Sequence, residues 1–374
     1  MYNRLSLAGA FIAALFLSAC KKEDTSPAPT AASYDTTAFT PNSSAERALG
    51  DRLAALQAEM ARGRNQAVKL DAATLQTLFT TGSPSLRSAA TPYYAEQVDR
   101  WLAELAAASG NTYVFDLPEA GGQGGTSRDY GYLFDEHGVE LEQLIDKGLY
   151  GGALYHQVSI LLTQPLTPAV PDKILGVLGM SPLFPSSNNA IKHRRPDRQL
   201  GAYLARRDKN EGNGFYARVK KALTTLQTGA KAGSGYGAEQ QAAATEIRHA
   251  IEEATAASVI HYCYQVTTQL GVANLTEQQR GAAMHAYAEG VGFAHGWRGL
   301  PTRARRITDA QIDEVLALFG APVNGPTTSY RFITHTAEEL PKLQQITAKL
   351  KAIYGFSDAQ MLEFQKNWIT EQGR

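Results

Sequence analysis

Ala254-Thr-Ala-Ala-Ser-Val-Ile-His261-Tyr-Cys263-Tyr-Gln-Val-Thr-Thr-Gln-Leu270, continued to Thr276, holds no Asp, Glu, Lys or Arg, and from Gly281 to Trp297 the one such residue is Glu289. Apolar residues cover more than one face of both segments at helical spacing, which is the pattern of helices surrounded by others. Neither reads as a membrane span. Gln265, Thr267, Thr268, Gln269 and Gly271 interrupt the first, and Gly290, Gly292 and Gly296 thin the second. The pair is expected to be the buried centre of a helical bundle.

Outward from this pair the chain keeps helix composition. Ser44 opens a helix to about Arg62 with Leu49, Leu53, Leu56 and Met60 on one face. Others are expected near 71–79, 93–108, 138–147, 149–163, 188–207, 213–228, 238–270, 276–296, 308–319, 336–353 and 357–368. Residues 110–131, with Gly121-Gly122-Gln123-Gly124-Gly125, read as a long loop, and 229–237 as a Gly-rich linker. No run alternates with period two for long enough to argue a sheet. The fold class expected is all-α, a multi-helix bundle, with 44–374 as one domain.

The start of the chain carries an address. Arg4, an apolar run from Leu5 to Phe16 and Leu17-Ser-Ala-Cys20 form a bacterial lipoprotein signal over residues 1–19. Cys20 is expected to be the acylated first residue of the mature chain. Residues 20–43 follow as a flexible tether, since the Lys, Asp, Ser, Pro, Ala and Thr of 21–40 cannot bury enough apolar surface to fold. Lys21-Lys22-Glu23-Asp24 is similar to the charged start of surface-displayed lipoproteins, so the expected location is the outer membrane, lipid-anchored at its periplasmic face or the cell surface.

The whole chain of 374 residues has 36 basic and 36 acidic side chains. Residues 1–19 contain one of these, Arg4, so the mature chain carries 35 − 36 = −1. Such a balance lacks the basic stripe that nucleic acid binding needs. Beyond Cys20 only Cys263 remains, which leaves no intramolecular disulfide and reads as a buried thiol. His261 is two residues away and points about 200° around the helix, which argues against a Cys-His pair.

Glu289 is the exception that invites a function. An ionised carboxylate in an apolar helix must be paired or must coordinate something, because burying it alone costs several kcal/mol. One reading pairs it with His285, Arg298 or Arg248. The other makes a metal or ligand site of His285 and Glu289, one turn apart on a face continued by Gly292 and Gly296, with the Glu246, His249 and Glu253 ridge of the preceding helix. His295 could join from a turn and a half away. Glu246-x-x-His249 has the form used by di-iron bundles, but no second copy is present. His-Glu-x-x-His, Gly-x-Ser-x-Gly, a phosphate loop and Cys-x-x-Cys are all absent from the sequence. Asp208-Lys-Asn-Glu-Gly212-Asn213 departs from a calcium loop at its sixth position.

His285-Ala-Tyr-Ala-Glu289-Gly290-Val-Gly292-Phe293, Lys147-Gly148-Leu-Tyr-Gly-Gly152 and Ala256-Ala-Ser-Val-Ile-His261-Tyr262 together resemble segments of imelysin-like lipoproteins. They are more similar still to a gram-negative surface lipoprotein family, described only as a domain of unknown function, that accompanies them. The resemblance extends over about residues 34–370. It implies a helical lipoprotein associated with iron acquisition. The imelysin signature Gly-x-His-x-x-Glu is replaced here, since Gly281 stands four before His285 and Glu289 four after it.

The leading expectation is a lipid-anchored, non-catalytic binding or accessory protein that takes up iron or haem beside outer-membrane uptake proteins. A metal-dependent peptidase-like hydrolase and a glycan-binding nutrient-uptake lipoprotein are the alternatives. The last would need one of Trp101, Trp297 and Trp368 as an exposed platform.

Overall fold

Helix follows helix, as the spacing predicts, and about 64% of the described residues are helical. The computed structural model describes residues 33–115, 124–325 and 327–374. Cys20, the leader and residues 20–32 of the expected tether lie outside them. The first helices are α1 (Phe39–Asn42), α2 (Ser44–Arg62), α3 (Ala72–Thr80), α4 (Leu86–Ala89) and α5 (Pro92–Ala108). A small sheet of β1 (Thr112–Tyr113), β2 (Gly125–Ser127) and β3 (Leu133–Phe134) follows, with β1 parallel and β3 antiparallel to β2. Next, α6 (Leu141–Leu149) runs through a π-helical segment (Tyr150–Tyr155) into α7 (His156–Leu161), and α8 (Ala169–Leu178), α9 (Gln199–Arg206) and α10 (Phe215–Ala232) come after it. The two uncharged segments fall in α11 (Gly237–Leu270) and α12 (Glu277–His295). The chain closes with α13 (Asp309–Leu318), α14 (Arg331–Thr334), α15 (Thr336–Tyr354), α16 (Asp358–Glu363) and α17 (Trp368–Glu371).

Local chemistry sets many of these boundaries. Thr276 with Gln279, Thr308 with Gln311 and Ser357 with Gln360 form reciprocal capping boxes that start α12, α13 and α16. Asp71 caps α3, and Thr91 followed by Pro92 starts α5. Then tertiary packing takes over. α11 packs on α12, α10 and α15, while α12 packs on α6, so the uncharged pair is central as expected. Among the described residues no helix is long and apolar enough to cross a membrane.

The glycines of α12 make room for backbone. A Cβ on Gly292 would stand 2.8 Å from the carbonyl oxygen of Leu144, and one on Gly296 would stand 2.6 Å from that of Gly148 and 3.2 Å from Cα of Gly151. On the opposite side, Gly148 and Gly152 accept the buried ring of Tyr94, whose hydroxyl donates to Leu144 O at 2.9 Å. The glycines of Lys147–Gly152 and of α12 are therefore two halves of one close helix crossing.

Several expectations need correcting. The tether ends earlier than residue 43. Tyr34 and Phe39 are buried, Tyr34 donates to Asp172 at 2.6 Å, and Asp35 accepts from Lys231 while its own N–H donates to Gln227. Residues 188–198 are not helical, because the Asp197 carboxylate accepts from the N–H groups of Ser181 and Ser187 and from Tyr216 and holds the segment open. The helix expected at 357–368 breaks after Glu363, where Phe364 O accepts from Arg207 and lies 2.9 Å from His261 Nδ1. The sheet and α8 were not expected. Strands of two or three residues are too short to show alternation, and α8 was concealed by prolines that sit harmlessly in and before its first turn.

Candidate functional site

Glu289 lies in a closed ionic network. Its Oε1 is 3.3 Å from Lys147 Nζ on α6 and accepts from the Tyr203 hydroxyl of α9 at 3.1 Å, while Oε2 is 3.7 Å from His285 Nε2 one turn back. Tyr262 of α11 completes the shell, 3.0 Å from the Tyr203 hydroxyl. Lys147 also meets Asp146 at 2.5 Å and lies 5.5 Å from the ring centres of both Tyr150 and Tyr203. Asp146 in turn accepts from Gln57. On the other side of His285, Nδ1 is 2.6 Å from Glu140, and Arg64 grips Glu142 at 2.7 and 3.0 Å.

Charge balance explains how four acidic groups share this interior. Glu140, Asp146 and Glu289 face Arg64, Lys147, Arg206 and His285, while burial, with Glu140 beside it, pushes Glu142 up to about 7 against the pull of Arg64. Burial pushes Glu289 up, but Lys147, His285, Tyr262 and Arg206 outweigh it and hold the carboxyl below its ordinary range. Burial likewise works against the charged form of His285, and Glu140 and Glu289 raise it nonetheless. The first of the two readings of Glu289, a structural pair, describes this geometry, with Lys147 as the principal partner rather than Arg298 or Arg248.

The ridge on α11 belongs elsewhere. Arg218 of α10 binds Glu246 and Glu253 at 2.6 Å each, and Arg306 binds Glu253 at 2.8 Å. α11 and α12 form an antiparallel hairpin in which Tyr262 is level with Glu289. His249, thirteen residues earlier, is about 20 Å along the helix from that level. Among the described residues no group of three His, Cys, Asp or Glu side chains could hold a metal ion. The expected joint site of His285, Glu289, Glu246, His249 and Glu253 is thus not assembled, and a peptidase metal centre on it has no ligand set. Arg64, Glu140 and Tyr203 escaped the sequence reading because their partners are distant in the chain, and Asp146 escaped it although its partner Lys147 is the next residue. The signal that could have found one of them is Lys147, a lone cation in the Gly-rich run already singled out.

His295 lies on the wall of a separate open cleft of about 640 Å3 between α5, α12, the turn at 135–139 and residues 321–325 with Thr327. Trp101 is half-buried here, and Gln97, Arg100, Glu104, His137 and Asn324 supply polar groups. His295 is almost fully buried, stacks on Tyr93 with ring centres 5.6 Å apart and meets Trp101 edge to face at 5.1 Å. Its Nδ1 has no hydrogen-bond partner. Trp297 and Trp368 are buried, which leaves Trp101 as the accessible indole among the three.

A pH dependence follows from two histidines. Burial, with Arg207 beside His261 and Arg100 and Arg298 near His295, pushes these imidazoles down, to about 3 and about 4 respectively. The unfolded chain takes up the same protons near 6.5, so their stabilising effect is complete above that pH and is lost as pH falls toward 4. The expected slope is up to about 1.4 kcal/mol per pH unit for each histidine. His285, raised, acts in the opposite sense and loses its contribution as pH rises above 6.5. Urea melts between about pH 4 and 6 should show the acid limb flattened by one proton in His295→Gln. An unchanged slope would mean that His295 is protonated in the folded chain.

Comparisons of the chain with family models, curated proteins and solved structures find no match, so its functional reading rests on this geometry.

Proposed function

We propose that this protein is a lipid-anchored, non-catalytic binding protein of the outer membrane whose ligand is a polar, saccharide-like solute held in the Trp101 cleft. The observation that carries the reading is the accessible indole of Trp101 on the wall of a cleft whose other lining residues are half polar and half apolar. A sugar presents an apolar C–H face and a rim of hydroxyls, which suits an aromatic face bordered by Gln97, Arg100, Glu104 and Asn324. The cleft volume falls in the range of small-molecule sites. The side chains around Glu289, by contrast, are engaged mainly with one another in ion pairs.

A second reading, iron or haem acquisition beside an outer-membrane uptake protein, is favoured by one observation. His137 and His295 line the same cleft, and imidazole is a common axial ligand of haem.

Calorimetric titration of the full chain with neutral and acidic oligosaccharides, ferric iron and haem separates the two. Saccharide binding that weakens about ten-fold in Trp101→Ala is the expected result. Heat with iron or haem alone transfers the cleft to the second reading, and no heat with any of them removes both.

A further inference from the structure

The loop 182–198 carries an unusual surface. Ile191 is 98% exposed and Leu183 64% exposed, although a large aliphatic side chain normally gains from burial. The Asn189 side chain accepts from the N–H groups of Ile191 and Lys192, and this turn projects Ile191 outward. Exposed cations surround it. Arg194 and Arg195 have no ion-pair partner among the described residues, and Lys192 donates to a backbone carbonyl, that of Gly373. Arg198 is offset by Asp51, and the remaining acid of the segment, Asp197, is buried against Tyr216. Lys220 adds a cation 5.5 Å from the Phe184 ring centre.

The start of the folded chain meets this same loop. Tyr34 packs edge to face on Phe184 with ring centres 5.6 Å apart, and Thr40 shares a surface hollow with Arg194 and Arg195. The chain between Cys20 and Tyr34 thus ends beside an exposed basic and aliphatic loop. The Trp101 cleft shares no lining residue with this hollow. α2 begins at the hollow, where Arg47 lines it, and ends about 27 Å away at Gly63, whose carbonyl accepts from Thr126 of the sheet.

We infer that the loop 182–198 is a membrane-docking face that sets Ile191 and Leu183 into the headgroup layer of an anionic lipid surface, with Lys192, Arg194 and Arg195 against lipid phosphates. Docking there covers none of the residues that line the Trp101 cleft. Apolar side chains ringed by cations suit this interface, and each arginine near an anionic surface strengthens association about five-fold. The inference draws on the Cys20 anchor for its geometry and is independent of what the cleft binds.

The test places a fluorophore at Ala190→Cys, and separately at Tyr130→Cys on the exposed turn beside the sheet, in the full chain on vesicles carrying lipid-borne quencher. Cys263 is buried and is not expected to label. Sedimentation with the vesicles reports the anchor, and quenching reports docking. The expected result is quenching at position 190 and not at 130, on vesicles of phosphatidylcholine with phosphatidylglycerol. Arg194→Gln with Arg195→Gln should lower the ratio of docked to undocked molecules about 25-fold, and high salt should act alike. A chain that sediments with equal quenching at both positions, or with none, overturns the docking face and leaves the anchor standing. A chain that does not sediment overturns both.

Discussion

Lys147→Met should cost about 3–5 kcal/mol of unfolding free energy, the largest loss expected from any single side chain in the network. Lys147 stands between Asp146 and Glu289, at 2.5 and 3.3 Å, and the three side chains are about nine-tenths buried. Removing the cation leaves two largely buried carboxylates without the charge they share. Glu289→Gln should cost less, about 1–3 kcal/mol, because Lys147 keeps Asp146 and the amide can still accept from Tyr203. Combining Lys147→Met with Glu289→Leu should recover part of the loss, an interaction of about 0.5–3 kcal/mol in a double-mutant cycle. Urea denaturation provides these values. A loss below about 1 kcal/mol for Lys147→Met would show that the pair is solvated and that the interior assigned to Glu289 does not exist.

Gly296→Val should destabilise by about 3 kcal/mol or more, at the upper end of the range for overpacked cores. The added Cβ would meet the carbonyl oxygen of Gly148 at 2.6 Å and Cα of Gly151 at 3.2 Å. Both are backbone atoms, one of α6 and one of the π-helical segment that continues it, so no side chain can rotate away. α12 would have to separate from α6, and the Lys147–Glu289 contact that bridges them would lengthen. Gly237→Ala is the matched control. Nothing lies within 4 Å of a Cβ there and its backbone is helical, so the change should be neutral or stabilising by up to about 1 kcal/mol. Equal thermal shifts for the two variants would rule out the close crossing.

How much of this could be read from the residues alone differs from element to element. Helix α2 was legible to its ends because the Leu49, Leu53, Leu56 and Met60 stripe is a local signal, although the residue at its N-cap is Ser43 and makes no side-chain cap. α12 was legible from its capping residue to His295 for the same reason. The region 188–198 was not, since its conformation is held by Asp197 accepting hydrogen bonds from Ser181, Ser187 and Tyr216. Glu289 was legible as an anomaly. Its partners were not, because Lys147, Tyr203 and Tyr262 come from three other helices separated from it by up to 142 residues.

The sequence by itself determined the helical class, the central pair of uncharged helices, the need for a partner to Glu289 and the expectation of an anchor at Cys20. Each follows from composition or from neighbours within a few turns, where spacing translates directly into a shared face. Only the tertiary structure decided which charges neutralise that carboxylate, that Glu246 and Glu253 serve Arg218 instead, and that Trp101, His137 and His295 border one cleft. Those facts depend on which helices meet and at what depth. Depth is set here by glycines whose missing side chains admit a neighbouring backbone, a quantity that no periodicity along one chain encodes.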